Sequence, residues 1–185
     1  MRSPRSAALA GVLLGALSVS LALPAAAADA VTSGGVRPAL TATSVAKDAA
    51  AQVVAHINAV RAQKGLPALL VTTGLKASAR QHDLTMSAGC GMSHQCPGEA
   101  SFGSRISAQG VKWTSAGENI GTGGRVAGTA GAASMALRLT DLMFAEVAPN
   151  DGHRRNLLSR SFRHIGVDVY LDAKGNVWMT QDFTS

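Results

Sequence analysis

Four ionisable side chains stand in otherwise apolar or glycine-rich stretches of this 185-residue chain, and together they could share a metal ion or protons. They are His94 in Met92-Ser93-His94, Glu118 in Ala116-Gly117-Glu118-Asn119-Ile120, Glu146, and His153 in Asp151-Gly152-His153-Arg154-Arg155-Asn156-Leu157-Leu158. Two imidazoles with one or two carboxylates are typical ligands of zinc or of another borderline divalent ion. The sequence therefore predicts a site, provided that these distant side chains converge.

For Glu146, helical spacing alone indicates that the side chain points toward the core. A long helix is predicted over roughly residues 128–147, and within it Met135, Leu139, Leu142 and Glu146 are spaced so that all four face one way. A carboxylate directed into a core is costly unless it is paired, hydrogen-bonded or bound to a cation. The alternative is that Glu146, near the end of the helix, simply reaches water.

Two further interpretations of the set stay open. Without a metal, the histidines and glutamates would bond to one another and fix the shape of a polar cleft. With a metal that keeps an open position, water could be activated and the protein would be a metal-dependent hydrolase. Motifs give hydrolysis little support, because the sequence contains neither H-E-x-x-H nor the G-x-S-x-G nucleophile elbow.

The beginning of the chain has the composition of a secretory signal peptide, predicted to cover residues 1–28. Two arginines precede an apolar run from Ala7 to Leu23, and an alanine string follows. The run is short for a spanning helix, which needs about 20 residues, so we expect cleavage and no membrane span afterwards. Residues 29–43 are predicted to form a flexible linker and residues 44–185 the folded domain.

The net charge of the chain indicates which partners it could bind, and its two cysteines indicate a disulfide. Removal of residues 1–28 leaves 15 basic residues against 11 acidic ones, a net charge of +4. This excess favours adhesion to anionic cell walls or lipid head groups, whereas the absence of basic stripes interleaved with aromatics argues against nucleic-acid binding. Cys90 and Cys96 lie close together in an exported chain, so we predict a disulfide that clamps the loop containing His94.

The first half of the folded region is predicted to be helical. Apolar residues at helical spacing follow Ser44, a predicted N-cap, and Gly65 is expected to stop this helix. A second helix is predicted from about Thr72 to just before Gly89. Its apolar stripe contains His82, which we interpret as a buried histidine satisfied by one hydrogen bond.

The second half combines short helices with strands. A short helix is predicted within 99–109, a strand at Glu118–Ile120 and a flexible loop at Gly121–Gly124. Alternating apolar residues then predict a hairpin of two strands, Ile165–Leu171 and Val177–Phe183. Helices that flank a small antiparallel sheet make an α+β layered domain.

Five phrases, taken in order, resemble the CAP (SCP-like) superfamily, which includes cysteine-rich secretory proteins, insect venom antigens, plant pathogenesis-related proteins and many exported bacterial proteins. The phrases are Ile57-Asn58 with Arg61 and Gly65-Leu66-Pro67, Met92-Ser93-His94, Gly117-Glu118-Asn119-Ile120, Gly152-His153-Arg154 with Asn156-Leu157-Leu158, and Ile165-Gly166-Val167. The resemblance spans about residues 50–183.

This resemblance implies an α-β-α sandwich with a small antiparallel sheet between helical layers and a central cleft. In the family the cleft carries two histidines and two glutamates, which in several members hold a divalent metal such as zinc. The matching positions here are His94, Glu118, Glu146 and His153. The interval between the last two is shorter than in eukaryotic members, and many bacterial relatives lack the second glutamate. Arg154 and Asn156 are expected to anchor the His153 segment.

The resemblance and the predicted export together imply a secreted, monomeric protein that acts at or beyond the cell envelope. We expect a non-enzymatic module that binds a small apolar ligand such as a lipid, a cell-wall component or a protein partner, with a His/Glu cleft that is able to hold a divalent metal. The alternative is a metal-dependent hydrolase centred on His94, Glu118 and His153.

Overall fold

The computed structural model describes residues 42–185, with side chains from residue 49 onward. The predicted signal peptide and nearly all of the predicted linker lie outside the described residues. The elements are α1 (Ala42–Gln63), β1 (Leu70–Val71), α2 (Thr73–Thr85), a π-helical turn (Met86–Cys90), α3 (Phe102–Ala108), β2 (Ala116–Gly123), α4 (Gly128–Ala145), α5 (Gly152–Leu157), β3 (His164–Leu171) and β4 (Val177–Thr184). Within residues 42–185, no helix is both long and apolar enough to cross a membrane.

The sheet has four strands in the order β1-β3-β4-β2. The predicted hairpin of β3 and β4 is present, and β2 pairs antiparallel to the other side of β4. The two-residue strand β1 pairs parallel to β3, so the sheet is mixed and not purely antiparallel as predicted. Strand β2 continues through Gly123, so most of the segment predicted to be a flexible loop belongs to the sheet.

One face of the sheet carries the apolar core. The buried residues of this core come from α1, α4, the end of α5, the strands β3 and β4, and two connecting segments: Ala49, Ala50, Val53, Ile57, Leu69, Ala132, Ala133, Ala136, Met143, Leu157, Phe162, Ile165, Val167, Val169, Val177, Met179 and Phe183. Alternation along β3 and β4 directs these side chains to one side, as the sequence pattern predicts. Removal of this apolar surface from water is the main favourable contribution to folding.

The opposite face of the sheet is covered by α2 and is polar although it is buried. Asp168, Thr180, Asp182 and Thr184 lie on this face, and none is more than 8 % exposed. Thr180 donates a hydrogen bond of 2.6 Å to Asp83 on α2. Helices on both faces of one sheet form the predicted α-β-α arrangement, and the α+β fold class is confirmed.

Two helix predictions need correction. Helix α1 begins at Ala42, before the predicted N-cap at Ser44, and ends as expected before Gly65, whose φ is +67°. On α4 the predicted inward stripe is wrong, because Leu142 is 58 % exposed. The buried side of α4 is formed instead by Ala132, Ala133, Ala136, Thr140 and Met143. Small alanines on this side let α4 pack closely on α1, which a search for large apolar residues misses.

Candidate functional site

His94 lies on a loop closed by a disulfide between Cys90 and Cys96, as predicted. The π-helical turn that follows α2 brings the chain to Cys90. At the other end of the loop Cys96 is 3 % exposed and belongs to a small core cluster with Met86 and Ile120. The loop is therefore anchored in the protein interior, while the His94 side chain stays about half exposed.

Glu118 orients this histidine from strand β2. Its side chain is 1 % exposed, and Oε1 lies 2.8 Å from Nδ1 of His94. Its Oε2 accepts a hydrogen bond from the buried guanidinium of Arg105 on α3. Arg105 also donates to the backbone carbonyls of His94, at 3.2 Å, and Ala100, at 3.0 Å. Both oxygens of Glu118 are thus engaged, and the His94 loop is held by its backbone as well as its ring.

The buried network continues behind Arg105. Glu99 lies 3.5 Å from the guanidinium, and its Oε1 lies 2.9 Å from Nδ1 of His82. His82 is fully buried and makes this one ring hydrogen bond among the described residues, as interpreted from the sequence, but its Nε2 is buried there without a partner. Arg105 and Glu99 were not singled out from the sequence, since a short polar helix gives no periodic pattern. The one available clue was an arginine beside Ile106 in a segment predicted to be helical.

Glu146 and His153 form the second pair. The chain leaves α4 at Glu146, where φ is −57° and ψ is 145°, so the side chain reaches the site from the end of the helix. One carboxylate oxygen bonds Nδ1 of His153, and the other accepts the backbone N–H groups of His153, at 3.0 Å, and Arg154, at 3.3 Å. Burial raises the pKa of Glu146, but these hydrogen bonds outweigh it and bring the pKa below its ordinary value.

Two asparagines join the halves of the site. Asn156 on α5 donates to Oδ1 of Asn119 at 2.8 Å and to the backbone carbonyl of Glu118 at 3.3 Å. Asn119 in turn donates to the backbone carbonyl of His153 at 3.2 Å. A Cβ atom at Gly117 would lie 2.9 Å from Oδ1 of Asn156, so this contact requires a glycine. The expected anchoring role fits Asn156, whereas Arg154 contributes through its backbone N–H.

A single cavity of about 550 Å³ lies between the two pairs. It is lined by His94, Glu118, Glu146, Asn150, Gly152, His153, Arg155 and Asn156. All four residues predicted for the site therefore border the same space, although they come from a loop, a strand, the end of a helix and the beginning of another. Apart from Gly152, every residue of this lining carries a polar or ionisable side chain, and none is a Phe, Tyr, Trp or aliphatic residue.

Asp182 lies under the first pair and was not predicted to belong to the site. It faces Glu118 in the register of β2 with β4 and is fully buried. Burial, together with the negative charge of Glu118, raises the pKa of Asp182 to about 8. Its carboxyl is therefore largely protonated at pH 7, which avoids two adjacent buried negative charges.

The atoms that remain for a ligand are the Nε2 atoms of His94 and His153. Neither has a hydrogen-bond partner among residues 42–185, since each ring is held through Nδ1. A carboxylate that holds Nδ1 fixes the tautomer with Nε2 free to bind a metal. In the described part of the chain, no group of three or more His, Cys, Asp or Glu side chains is placed to hold a metal ion. The donor chemistry fits a cation bound by two imidazoles, with its other positions left to water or ligand.

Comparisons with known proteins agree with this architecture. The Cysteine-rich secretory protein family, CAP, matches residues 54–183. YkwD of Bacillus subtilis is 32 % identical over 132 residues, which are 71 % of this chain and 45 % of YkwD. An extracellular protein from Bacillus anthracis that contains an SCP domain superposes with a TM-score of 0.57 and 26 % identity over 77 % of this chain and 42 % of that protein.

A third comparison shows the fold alone. NaASP2, crystallised with Zn²⁺, superposes with a TM-score of 0.54 at 12 % identity and covers 74 % of this chain and 79 % of that protein. The chain spans less than half of the length of its two Bacillus relatives. Because the family match covers well over half of the chain and the fold agrees with it, this protein belongs to the cysteine-rich secretory protein (CAP) family.

Proposed function

We propose that the protein is an exported, non-enzymatic binding module whose cavity binds a divalent cation, such as zinc, together with a polar group of a cell-envelope ligand. The observation that carries this proposal is the pairing of His94 with Glu118 and of His153 with Glu146 around one cavity. Each pair leaves one Nε2 for a ligand, and imidazole nitrogen is a typical donor to zinc. The Zn²⁺ in the crystals of NaASP2 supports the choice of cation by analogy.

The carboxylates of Glu118 and Glu146 are already hydrogen-bonded, which favours a binding function over hydrolysis. A hydrolase needs a carboxylate or imidazole that is free to take a proton from water. Glu118 is committed to His94 and Arg105, and Glu146 to His153 and two backbone N–H groups. A bound cation would supply charge that attracts and orients an anionic or carbonyl oxygen, and Arg155 at the rim adds a second positive group.

The lining of the cavity also indicates which of the expected ligand classes fits best. Its polar side chains favour a polar envelope component over a small apolar ligand, since apolar ligands bind pockets lined mainly by hydrophobic groups. Export itself is supported by the predicted signal peptide and by the Bacillus anthracis relative, which is described as extracellular.

The test is calorimetric titration of the purified protein with ZnCl₂. We expect one cation per chain, with affinity reduced by about tenfold or more in His94→Ala and in His153→Ala, and no measurable binding in the double variant. His56→Ala is the matched control, because His56 is paired with Asp141 and does not line the cavity, so its loss should leave the affinity unchanged. Equal binding by the parent and the double variant would refute the cation site.

The hydrolase alternative is tested with the same variants. Generic ester, peptide and wall substrates are incubated with the zinc-loaded protein, with and without a chelator. We expect no turnover above the background. Chelator-sensitive turnover that disappears in His153→Ala would replace the binding module with a metal-dependent hydrolase.

A further inference from the structure

A second groove, here called the α3 groove, lies on the outer side of helix α3. Its volume is about 570 Å³, within the range of sites that take small molecules. It is lined by Ser101, Gly103, Ser104, Ser107, Ala108 and Trp113. None of these residues lines the His/Glu cavity, although the inner side of the same helix carries the buried Arg105 that holds Glu118.

The aromatic wall of the groove is fixed in place. Trp113 is 38 % exposed, and its Nε1 donates a hydrogen bond of 3.1 Å to Oγ of Ser107. The ring rests against Gly103, where an added Cβ would lie 3.1 Å from Cζ2 of the indole. An exposed aromatic ring held from two directions loses little conformational freedom when a ligand covers it.

The serines supply uncharged hydrogen-bonding groups beside this ring. Oγ of Ser107 accepts from the indole, and its own O–H has no acceptor among the described residues. Ser101 and Ser104 share one hydrogen bond of 2.9 Å between their hydroxyls, which leaves one of their two O–H groups available. The groove therefore offers two O–H donors as well as hydroxyl lone pairs.

The lining of the α3 groove contains no ionisable side chain, so it favours an uncharged ligand. Lys112, although adjacent to Trp113 in sequence, borders a different depression around Gly74 and His164. A phosphate or carboxylate in the α3 groove would lose water without gaining a cationic partner, which is unfavourable. A pyranose instead presents an apolar C–H face to the indole and hydroxyls that both donate and accept.

We propose that the α3 groove binds a neutral saccharide unit, as found in the glycan of a cell wall. The proposal deepens the proposed function by naming the class of envelope ligand, but saccharide binding at this groove does not require the cation. The two can therefore fail separately.

The experiment is an NMR titration of the ¹⁵N-labelled protein with chitotetraose, a neutral tetrasaccharide of N-acetylglucosamine, in the presence of EDTA. The chain has two tryptophans, so its two indole N–H signals give a target and an internal control. We expect saturable shifts of the Trp113 indole and of the backbone amides of 101–108, with the Trp178 indole unchanged. Trp178 donates to Asp172 instead and does not line the α3 groove.

Variants then establish which groups bind. Trp113→Ala should weaken binding by about tenfold and Trp113→Phe by less, since an aromatic face remains. Ser104→Ala should weaken it by about threefold to tenfold through the lost hydrogen bond. Ser134→Ala, an exposed serine on α4, is the matched control and should bind as the parent does. If Trp113→Ala fails to fold, Trp113→Phe alone is compared with the parent, and equal binding by these two would count against a contact with the indole.

Several results would overturn the proposal. The first is that chitotetraose, cellotetraose and maltotetraose cause no saturable shifts up to their solubility limits. The second is equal binding by Trp113→Ala and the parent. The third is a stronger response to glucose 6-phosphate or to a proline-rich peptide than to the saccharides. Saccharide binding that persists in the His94→Ala, His153→Ala double variant supports the α3 groove even if the cation site fails. Zinc binding without saccharide binding rejects the groove alone.

Discussion

The two histidine–glutamate pairs that border the cavity are built in different ways. His94 and Glu118 are 24 residues apart, and the Glu118 side chain is 1 % exposed and held by the buried Arg105. His153 and Glu146 are seven residues apart, and the Glu146 side chain is 23 % exposed and held by backbone N–H groups. The carboxylate of the first pair therefore belongs to the protein interior, whereas the carboxylate of the second pair lies near the surface.

This difference shows that one type of pair can be stabilised by two kinds of interaction. In the buried half, the charges must balance one another because water is excluded. In the surface half, hydrogen bonds to a partly solvated carboxylate are sufficient. The two halves should therefore differ in the cost of a broken contact, and they should respond to pH in opposite directions.

The largest expected effect is the loss of Arg105. Arg105→Met leaves Glu118 and Glu99 buried without their shared cation, so we expect the free energy of unfolding to fall by about 3–5 kcal/mol in urea denaturation. Arg155→Met is the control at the same cavity. Its side chain is 69 % exposed, and its pairing with Asp151 should contribute less than about 1 kcal/mol. If Arg105→Met and Arg155→Met lowered the free energy of unfolding equally, the buried and the exposed parts of the site would not differ in this way.

Asp182→Asn tests the buried half through pH. Because burial and Glu118 raise the pKa of Asp182 to about 8, the folded state retains a proton that the unfolded chain releases near pH 4. The stability of the parent should therefore decline as pH rises from about 4 to about 8. The amide mimics the protonated acid, so the variant should match the parent at pH 4 and be the more stable of the two at pH 8, where the buried acid of the parent ionises.

Urea unfolding at several pH values measures this effect, with the exposed Asp141→Asn as the control. A parent that is more stable than Asp182→Asn at pH 8 would contradict the buried-proton account.

The disulfide tests how the His94 loop is anchored. It closes a ring of seven residues, for which loop entropy predicts a loss of about 2 kcal/mol in a double Cys90→Ala, Cys96→Ala variant. Hydrogen exchange of the amides of 91–95 should become faster, while exchange near His153 should stay as in the parent. A thiol assay on denatured, unreduced protein should find no free thiol. Two reactive thiols in that assay would exclude the clamp.

The smallest effect is expected for Glu146→Gln, about 1 kcal/mol at pH 7, because the carboxylate is near solvent. The hydrogen bonds that lower the pKa of Glu146 stabilise the fold above the ordinary carboxyl pKa. This contribution should disappear as pH falls through the lowered pKa. The difference between parent and variant should thus be constant from pH 7 to 5.5 and should shrink as the pH falls below the ordinary carboxyl pKa. A difference that grows in acid would be the opposite of this prediction.

Much of the fold could be read from apolar periodicity. The stripe Leu75, Ala79, His82 and Met86 is buried along α2 and its extension, and the β3–β4 hairpin is where alternation predicts it. Helix α4 shows the limit of this approach. Its buried side is marked by alanines, so the larger Leu142 misled the prediction, and Glu146 approaches His153 for a different reason from the one inferred.

The candidate site could be predicted only in its outline. The phrases around His94, Glu118 and His153 supply side chains that border the cavity, but several of the groups that hold those side chains come from elsewhere in the chain. Arg105 and Asp182 both act on Glu118 through tertiary contacts, and neither stands in a distinctive local pattern. Partners of this kind follow from the register of β2 with β4 and from the packing of α3, which local sequence does not reveal.

The central claim is that His94 and His153 direct their Nε2 atoms to one cation. The most direct test is a crystal structure of the protein soaked with Zn²⁺, with diffraction data collected on both sides of the zinc absorption edge. We predict one anomalous peak within bonding distance of both imidazoles, about 2.0–2.1 Å from each nitrogen. Separate peaks on single imidazoles, or no peak beside either, would contradict the account.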